Sequence, residues 1–397
     1  MQTQMRILHT SDWHLGEALG GYSRLEEQKA VLGEIVKLAR DRNVDVVLVA
    51  GDVYDSFTPP AAAEQLFLDT MDALSRAGII CVVVAGNHDS PDRLCAPRAF
   101  AGTHGVYILG LPGDTPSGEG LCEAAPNFLR VRPHGADCDC AIAALAYPSM
   151  GRLGCEESEY STRVGELFRE AAAHFDSSYV NVAVSHLFAR GGQSGGVERP
   201  IEGVGGALCV NAQDICPEAQ YVALGHLHRS QRVAGARYSG SILQQDFGES
   251  GQLKQVIIVD LEPGGEPNIT EVPLICGRYL ARWRVGSLDE ARALIQSGHD
   301  AKGWIELTIE SPEPPSEREL TELARMRERI VQTRWQGTLH EQRRETVDWV
   351  SRPRQELFEA FYQRSRGHAP SREVTALFLE LMSEQEVEPD ETAETDV

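Results

Sequence analysis

Apolar positions along this chain fall into two alternating arrangements. Short unbroken runs at 6–12 ("RILHTSD"), 44–52 ("VDVVLVAGD") and 79–86 ("IICVVVAG") are rich in β-branched residues and stop abruptly, which predicts buried strands. Between the first two, "RLEEQKAVLGEIVKLARDRN" at 24–43 places Leu32, Ile35, Val36 and Ala39 on one face at helical spacing. A second helix is expected from "TPP" at 58–60 to about Gly78. Strand–helix–strand units of this length require parallel pairing and an α/β layer architecture. Chemistry in such sheets gathers beyond the carboxyl ends of the strands. Two later runs, "YVNVAVSHLF" at 179–188 and "QYVALGHLHR" at 220–229, end on histidines in the same manner.

The remaining pattern divides the chain. Residues 111–140, rich in Gly, Pro and charge, predict a loop, and "EPGGEPNITEVP" predicts the exit from the first domain. A smaller α/β unit follows: strand at 278–285, helix at 287–298, strand at 303–310, a break at "SPEPPS" and a helix to about Ile330. Two terminal helices flank "GHAP", and their stripe of Phe358, Phe361, Tyr362, Val374, Leu377, Phe378, Leu381 and Met382 is too small to form a core alone. The expected parts are a main domain at 1–270, a cap at 275–345, a helix–loop–helix at 352–383 and an acidic disordered tail at 384–397.

Composition narrows the function classes. No 18-residue apolar run and no signal-like N-terminus are present, so a cytoplasmic protein without a membrane span is expected. The nine cysteines show no paired CxxC spacing, "CDC" at 138–140 being the one close pair, which fits a reduced compartment. The net charge is −22, and the seven acids of the last fifteen residues leave −22 + 7 = −15 elsewhere. A free-standing nucleic-acid binder usually carries a basic face, so a polyanionic substrate would need metal ions, a local patch or a partner. Residues 318–354, with nine Arg against six acids, form the one notably basic stretch, a candidate for DNA or partner contact.

The strand ends collect Asp12, His14, Asp52, Asn87, His186, His226 and His228. Carboxylate, amide oxygen and imidazole without thiolate suit Mn²⁺, Fe²⁺ or Zn²⁺. These are too many ligands for one centre and the number that two metals need if a carboxylate bridges them. In "DWH" and "HLH" the ligands stand at i and i+2, which an extended segment aims to one side. Gly51, Gly86 and Gly225 each precede a ligand, where the chain must turn and leave room. His9, His104, His134, His174, His299, His340 and His368 read as surface or satisfied core residues.

The ordered set D-x-H, GD-x-x-D, GNHD, a strand-end His and GH-x-H resembles the calcineurin-like metallophosphoesterase superfamily over residues 5–260. The resemblance implies an α/β fold, a two-sheet αββα sandwich, here with a small α/β cap and a C-terminal helix pair. "SDWHLG", "GDVYDSFTPP", "GNHDSPDRL", "VALGHLHRSQ" and "RYSGSILQQDFGE" resemble, within it, the SbcD nuclease-subunit family. That likeness implies that Asp12, His14 and His228 hold one metal, that Asn87, His186 and His226 hold the other, and that Asp52 bridges. It implies two Mn²⁺ ions, His88 as the catalytic histidine, 3′→5′ exonuclease action on duplex ends and endonucleolytic opening of hairpins. Implied partners are DNA, a second copy of this chain, and an SbcC-type ATPase docked on the terminal helices, in DNA repair and recombination. Asp89 is expected to orient His88 or cap its turn, and Asp55 and Arg229 to stand near the substrate. Arg98, Arg190, Arg199 and Arg237 also flank the motifs. The alternative is a stand-alone phosphodiesterase or phosphatase on small substrates, although the GD-x-x-D-R-G and GNHE forms of phosphoprotein phosphatases are absent.

Overall fold

The computed structural model describes residues 4–195, 202–203, 206–233, 235–337, 355, 357–359, 362, 370–372 and 374–378. The chain divides into two compact units, Met1–Gly337 and Thr338–Val397.

The first unit is built on two large sheets. One has the strand order Asn268–Pro273, Gln255–Leu261, Met5–Thr10, Val46–Ala50, Ile80–Val84, Val106–Leu109. The last four run parallel, as the strand–helix alternation requires, and the first two add antiparallel at one edge. The other sheet runs Gln231–Val233, Ala236–Tyr238, Tyr221–Gly225, Val180–His186, Cys140–Leu145, Phe128–Val131, Leu121–Ala125. Leu48, Val82 and Val256 of the first sheet share one apolar cluster with Ala144, Val182 and Ala223 of the second, so the sheets are stacked. Helices Leu25–Asp41 and Ala61–Ser75 cover the first sheet with Val31, Leu32, Ile35, Phe67 and Leu74. Tyr160–Ala172 covers the second with Val164 and Phe168. Each large aliphatic side chain buried in these layers contributes about 1.5–3 kcal/mol. Five strand ends, Thr10, Ala50, Val84, His186 and Gly225, open onto one rim between the sheets, and Gly225 lies against the Ala50 carbonyl.

Three expectations are corrected. The loop at 111–140 contains a hairpin, Leu121–Ala125 with Phe128–Val131, turned at Asn127 in the left-handed region (φ 57°). Its outer strand, Leu121–Ala125, is an edge strand without a buried residue, and the inner strand, with Phe128, Leu129 and Val131 buried, is only four residues long, which together leave a weak hydrophobic signature. The exit expected around 262–274 contains strand Asn268–Pro273, so the crossing to the cap comes after it. The cap helix ends at Met326 rather than near Ile330, because Arg327 turns extended (φ −153°, ψ 111°). A strand, Ile330–Gly337, then completes a parallel three-stranded sheet with Leu280–Val285 and Trp304–Ser311. Trp283, Ile305, Leu307 and Leu323 form the cap's own small core.

In the second unit, Phe358 stacks on Phe378 with ring centroids 4.1 Å apart and planes 7° from parallel. Tyr362 lies beside Phe358 at 5.8 Å, and Leu377 is exposed. Phe361, Leu381, Met382, Arg199, His368, the tail at 384–397 and all of 338–354, His340 included, lie outside the described residues. Among the described residues no helix is long and apolar enough to cross a membrane.

Candidate metal centre

The segment after Thr10 leaves the first sheet and zips onto the segment after Ala50. Asp12 N–H donates to Gly51 O (3.0 Å), His14 N–H to Asp52 O (3.0 Å) and Leu15 N–H to Val53 O (2.9 Å). Trp13 points the other way, into the core, its indole N–H on Thr10 Oγ1 at 2.9 Å. Asp12, His14, Asp52 and His226 all adopt positive φ (52°, 44°, 50° and 102°), sparsely populated for residues other than glycine. This corrects the expectation that strand alternation aims D-x-H. The ligands lie past the strand end, and left-handed backbone turns them inward. Such strain persists only where surrounding structure holds it, and it clusters at functional sites.

Glycine is required here mainly by close approach. A Cβ at Gly86 would strike the Asp52 carboxylate, and one at Gly225 the Ala50 carbonyl, although neither residue has positive φ.

Asn87 Oδ1 lies 2.9 Å from His186 Nε2 and 3.0 Å from His226 Nδ1. His186 Nδ1 donates to the Ala50 carbonyl at 2.9 Å, which leaves Nε2 as the inward nitrogen. On the other side His14 Nε2 stands 3.2 Å from His228 Nε2, and Asp12, His14 and His228 bring ligand atoms within 4.8 Å of one another. Asp52 sits between the two groups: its Oδ2 is 3.3 Å from His186 Nε2 and 3.7 Å from His14 Nε2, while Oδ1 accepts His88 N–H at 2.8 Å. All seven donors anticipated from the sequence therefore face one pocket.

Charge in the pocket follows from this crowding. Burial raises the Asp52 carboxyl, yet His186, His14 and His88 hold it well below the usual range. Burial opposes protonation of His186, yet Asp52 and Asp12 lift it to about 9; for His14, Asp55, Asp52 and Asp12 lift it to about 10. Burial and the neighbouring His186 push His226 down to about 3. Buried carboxylates here draw positive charge onto imidazoles. A set of carboxylate, imidazole and amide oxygen atoms without thiolate suits hard or borderline divalent cations, so the residues fit a metal pair. Among the described residues, no group arranged to hold a metal includes a cysteine, "CDC" among them.

Further residues divide by what they touch. His88 is half-buried and donates Nδ1–H to the Asp55 carbonyl at 2.8 Å. Asp55 Oδ1 is 3.5 Å from His14 Nδ1, and His14, Asp55 and His88 form a second close group of donors. Asp89 takes the turn-capping role of the two expected, through the Gly86 N–H. Fully buried, it accepts three backbone N–H groups, from Val53 (3.1 Å), Tyr54 (2.9 Å) and Gly86 (2.8 Å), and clamps two ligand loops together. Arg229 is exposed, its guanidinium 3.5 Å from Gln193 Oε1. Arg190 is exposed, while Arg98 pairs with Asp114 at 3.8 Å and Arg237 with Glu271 at 2.9 Å.

Sequence reasoning assigned no role to Glu249, Lys254 or Gln28. Glu249 is fully buried and accepts from His228 Nδ1 at 2.8 Å, which turns Nε2 to the pocket. Lys254 answers Glu249 at 2.6 Å and donates to the His228 carbonyl at 2.9 Å. Gln28, on the first helix, donates to the His14 carbonyl at 2.7 Å. Glu249 sits in the "RYSGSILQQDFGE" stretch, the one sequence signal that could have marked it.

The calcineurin-like phosphoesterase family model matches residues 5–137. A relative from Bacillus subtilis, the SbcD component of the nuclease SbcCD, is 37% identical over 97% of this chain and 99% of its own. The chain belongs to the SbcD family. Its members of the same name from Rhodobacter capsulatus (34% identical, 68% of this chain and 69% of the relative) and Escherichia coli K12 (30% identical, 78% and 79%) agree. Family membership and the donor set together make the chain a metal-dependent phosphodiesterase of the SbcD nuclease class.

Proposed function

We propose that this chain is the nuclease subunit of an SbcCD-type complex. It would cleave DNA with two Mn²⁺ ions, one held by Asp12, His14 and His228, the other by Asn87, His186 and His226, with Asp52 shared. The observation that carries this reading is the Asp52 carboxylate lying within 3.7 Å of inward imidazole nitrogens on both sides. Bound metals would supply Lewis acidity and a water acidic enough to yield hydroxide near neutral pH, and their charge would offset the acidity of the chain. The protein's own part is to hold that charge in place and deliver a proton. With Nδ1–H engaged by the Asp55 carbonyl, His88 keeps Nε2 for the departing sugar oxygen, a contribution of about 10²–10⁴-fold. Its backbone N–H on Asp52 fixes the distance between proton donor and shared ligand.

Family membership favours 3′→5′ exonuclease action, hairpin opening, a homodimer and docking of an SbcC-type ATPase on the terminal helices at 352–383, with 1–270 as the nuclease domain and 275–345 as the cap. Parallel assays on bis-p-nitrophenyl phosphate and linear duplex DNA test the reading. Mn²⁺-dependent hydrolysis of both, with shortening from 3′ ends, is expected. Hydrolysis of the small ester alone, with an SbcC-type partner present, would favour the small-substrate alternative.

A further inference from the structure

The cap meets the phosphoesterase core through two loops and the helix Leu25–Asp41, and both loops serve the same half of the pocket. One follows His14; the other, 239–252, carries Glu249, the carboxylate that holds His228. Leu19 and Phe247 of these loops pack on Leu280 and Trp304 of the cap, with Val331 against them.

Polar contact is more selective. The Trp304 indole N–H donates to Glu27 Oε1 at 2.6 Å, and the Arg278 guanidinium lies 3.3 Å from the same oxygen. Glu27 Oε2 accepts from Arg24 at 3.2 Å, and the buried Arg24 donates onward to the Gln244 carbonyl at 2.5 Å. Gln244 Oε1 accepts the Leu280 N–H at 2.6 Å, and the next residue's N–H, from Gln245, donates to Glu249 at 3.1 Å. Glu27 stands beside Gln28, which holds the His14 carbonyl. One turn of helix thus ties the cap on one side and the His14 loop on the other. Among the described residues, no hydrogen bond or ion pair joins the cap to Asn87, His186 or His226.

Buried charged networks act as units, because losing one partner leaves another uncompensated in a low-dielectric setting. We infer that the seating of the cap sets the metal affinity of the Asp12–His14–His228 half alone, with Trp304, Glu27 and Arg24 as positioning residues. The inference rests on the dinuclear reading above.

Calorimetric Mn²⁺ titration of the full chain tests it in two backgrounds, Asn87→Ala and His14→Ala, which spare opposite halves. Each is compared with and without Trp304→Phe, which keeps an aromatic ring and removes the N–H. In Asn87→Ala, the substitution weakens Mn²⁺ binding about tenfold, the low end for losing a partner outside the ligands. In His14→Ala it changes binding by less than about twofold. Equal change in both backgrounds, or none in the first, overturns the inference while leaving the dinuclear reading intact. Should Trp304→Phe not fold, Glu27→Gln, which keeps an acceptor for the indole and removes the charge facing Arg24, gives the same split. Failure of the unsubstituted chain to bind Mn²⁺ overturns the dinuclear reading itself, and the inference with it.

Discussion

His186 and the Asn87 loop lean on main chain, whereas His14 and His228 lean on side chains that reach in from elsewhere, and His226 stands between the two cases, its N–H held at 3.0 Å by the Asp12 carboxylate. His186 is fixed by the Ala50 carbonyl, and the Asn87 loop by Asp89 gathering three backbone N–H groups. His228 depends on Glu249 and Lys254, and His14 on Asp55 and Gln28. Main-chain supports are set by sheet register and move only when the sandwich moves. Side-chain supports shift with the loops that carry them, and on this side those loops also carry the cap. The same chemistry at two halves of one pocket is therefore anchored to structures of different stiffness.

The largest break erases the difference. Asp52→Asn touches both halves and lowers Mn²⁺-dependent hydrolysis of bis-p-nitrophenyl phosphate by more than about 100-fold, beyond what loss of an outer support costs. Residual activity within tenfold of the parent would contradict the shared role. His88→Gln separates chemistry from binding: kcat falls by about 10²–10⁴-fold, while Mn²⁺ stoichiometry by titration is unchanged. Lost metal would instead assign His88 to the ligands.

Glu249→Ala sharpens the contrast by removing a support from one half only. Mn²⁺ affinity there should fall about 10–100-fold, with milder loss in Glu249→Gln, where an acceptor for His228 remains. An unchanged isotherm would mean that His228 orients itself.

A smaller effect reads the scaffold beneath both halves. His9 spans the sheets, with its ring nitrogens 2.9 Å from the Tyr221 hydroxyl and 3.1 Å from the Leu224 carbonyl. Burial, partly offset by the Leu224 carbonyl, lowers it from 6.5 to about 3. The unfolded chain takes this proton below pH 6.5 and the folded chain does not, so stability drops as pH falls from 6.5 toward about 3. The expected slope is up to about 1.4 kcal/mol per pH unit. Urea unfolding of His9→Gln should be flatter over that window; an unchanged slope would remove His9 from the account. Arg229→Ala, at an exposed site, should change small-ester hydrolysis by less than about twofold, since its guanidinium reaches out to Gln193.

Much of this was legible in the order of residues alone. Apolar runs with abrupt stops marked the central strands, and donors at their ends marked the pocket, because a parallel sheet delivers strand ends to one rim. Three kinds of feature were hidden. Positive φ at Asp12, His14 and Asp52 leaves no periodic trace, since acids and histidines occupy ordinary turns as readily. The outer hairpin strand Leu121–Ala125 and the cap strand Ile330–Gly337 are edge elements whose exposed side chains blur the apolar pattern. Glu249 and Gln28 act through tertiary contacts 21 and 14 residues from the groups they hold, distances at which one sequence carries no pairing signal.

Diffraction at the manganese absorption edge, from crystals soaked in Mn²⁺, tests the central claim most directly. The account predicts two anomalous peaks about 3.5–4 Å apart, one among Asp12, His14 and His228, the other among Asn87, His186 and His226, with Asp52 reaching both. A pocket without a peak, or a single ion held by one half while Asp52 turns away from the other, would contradict it.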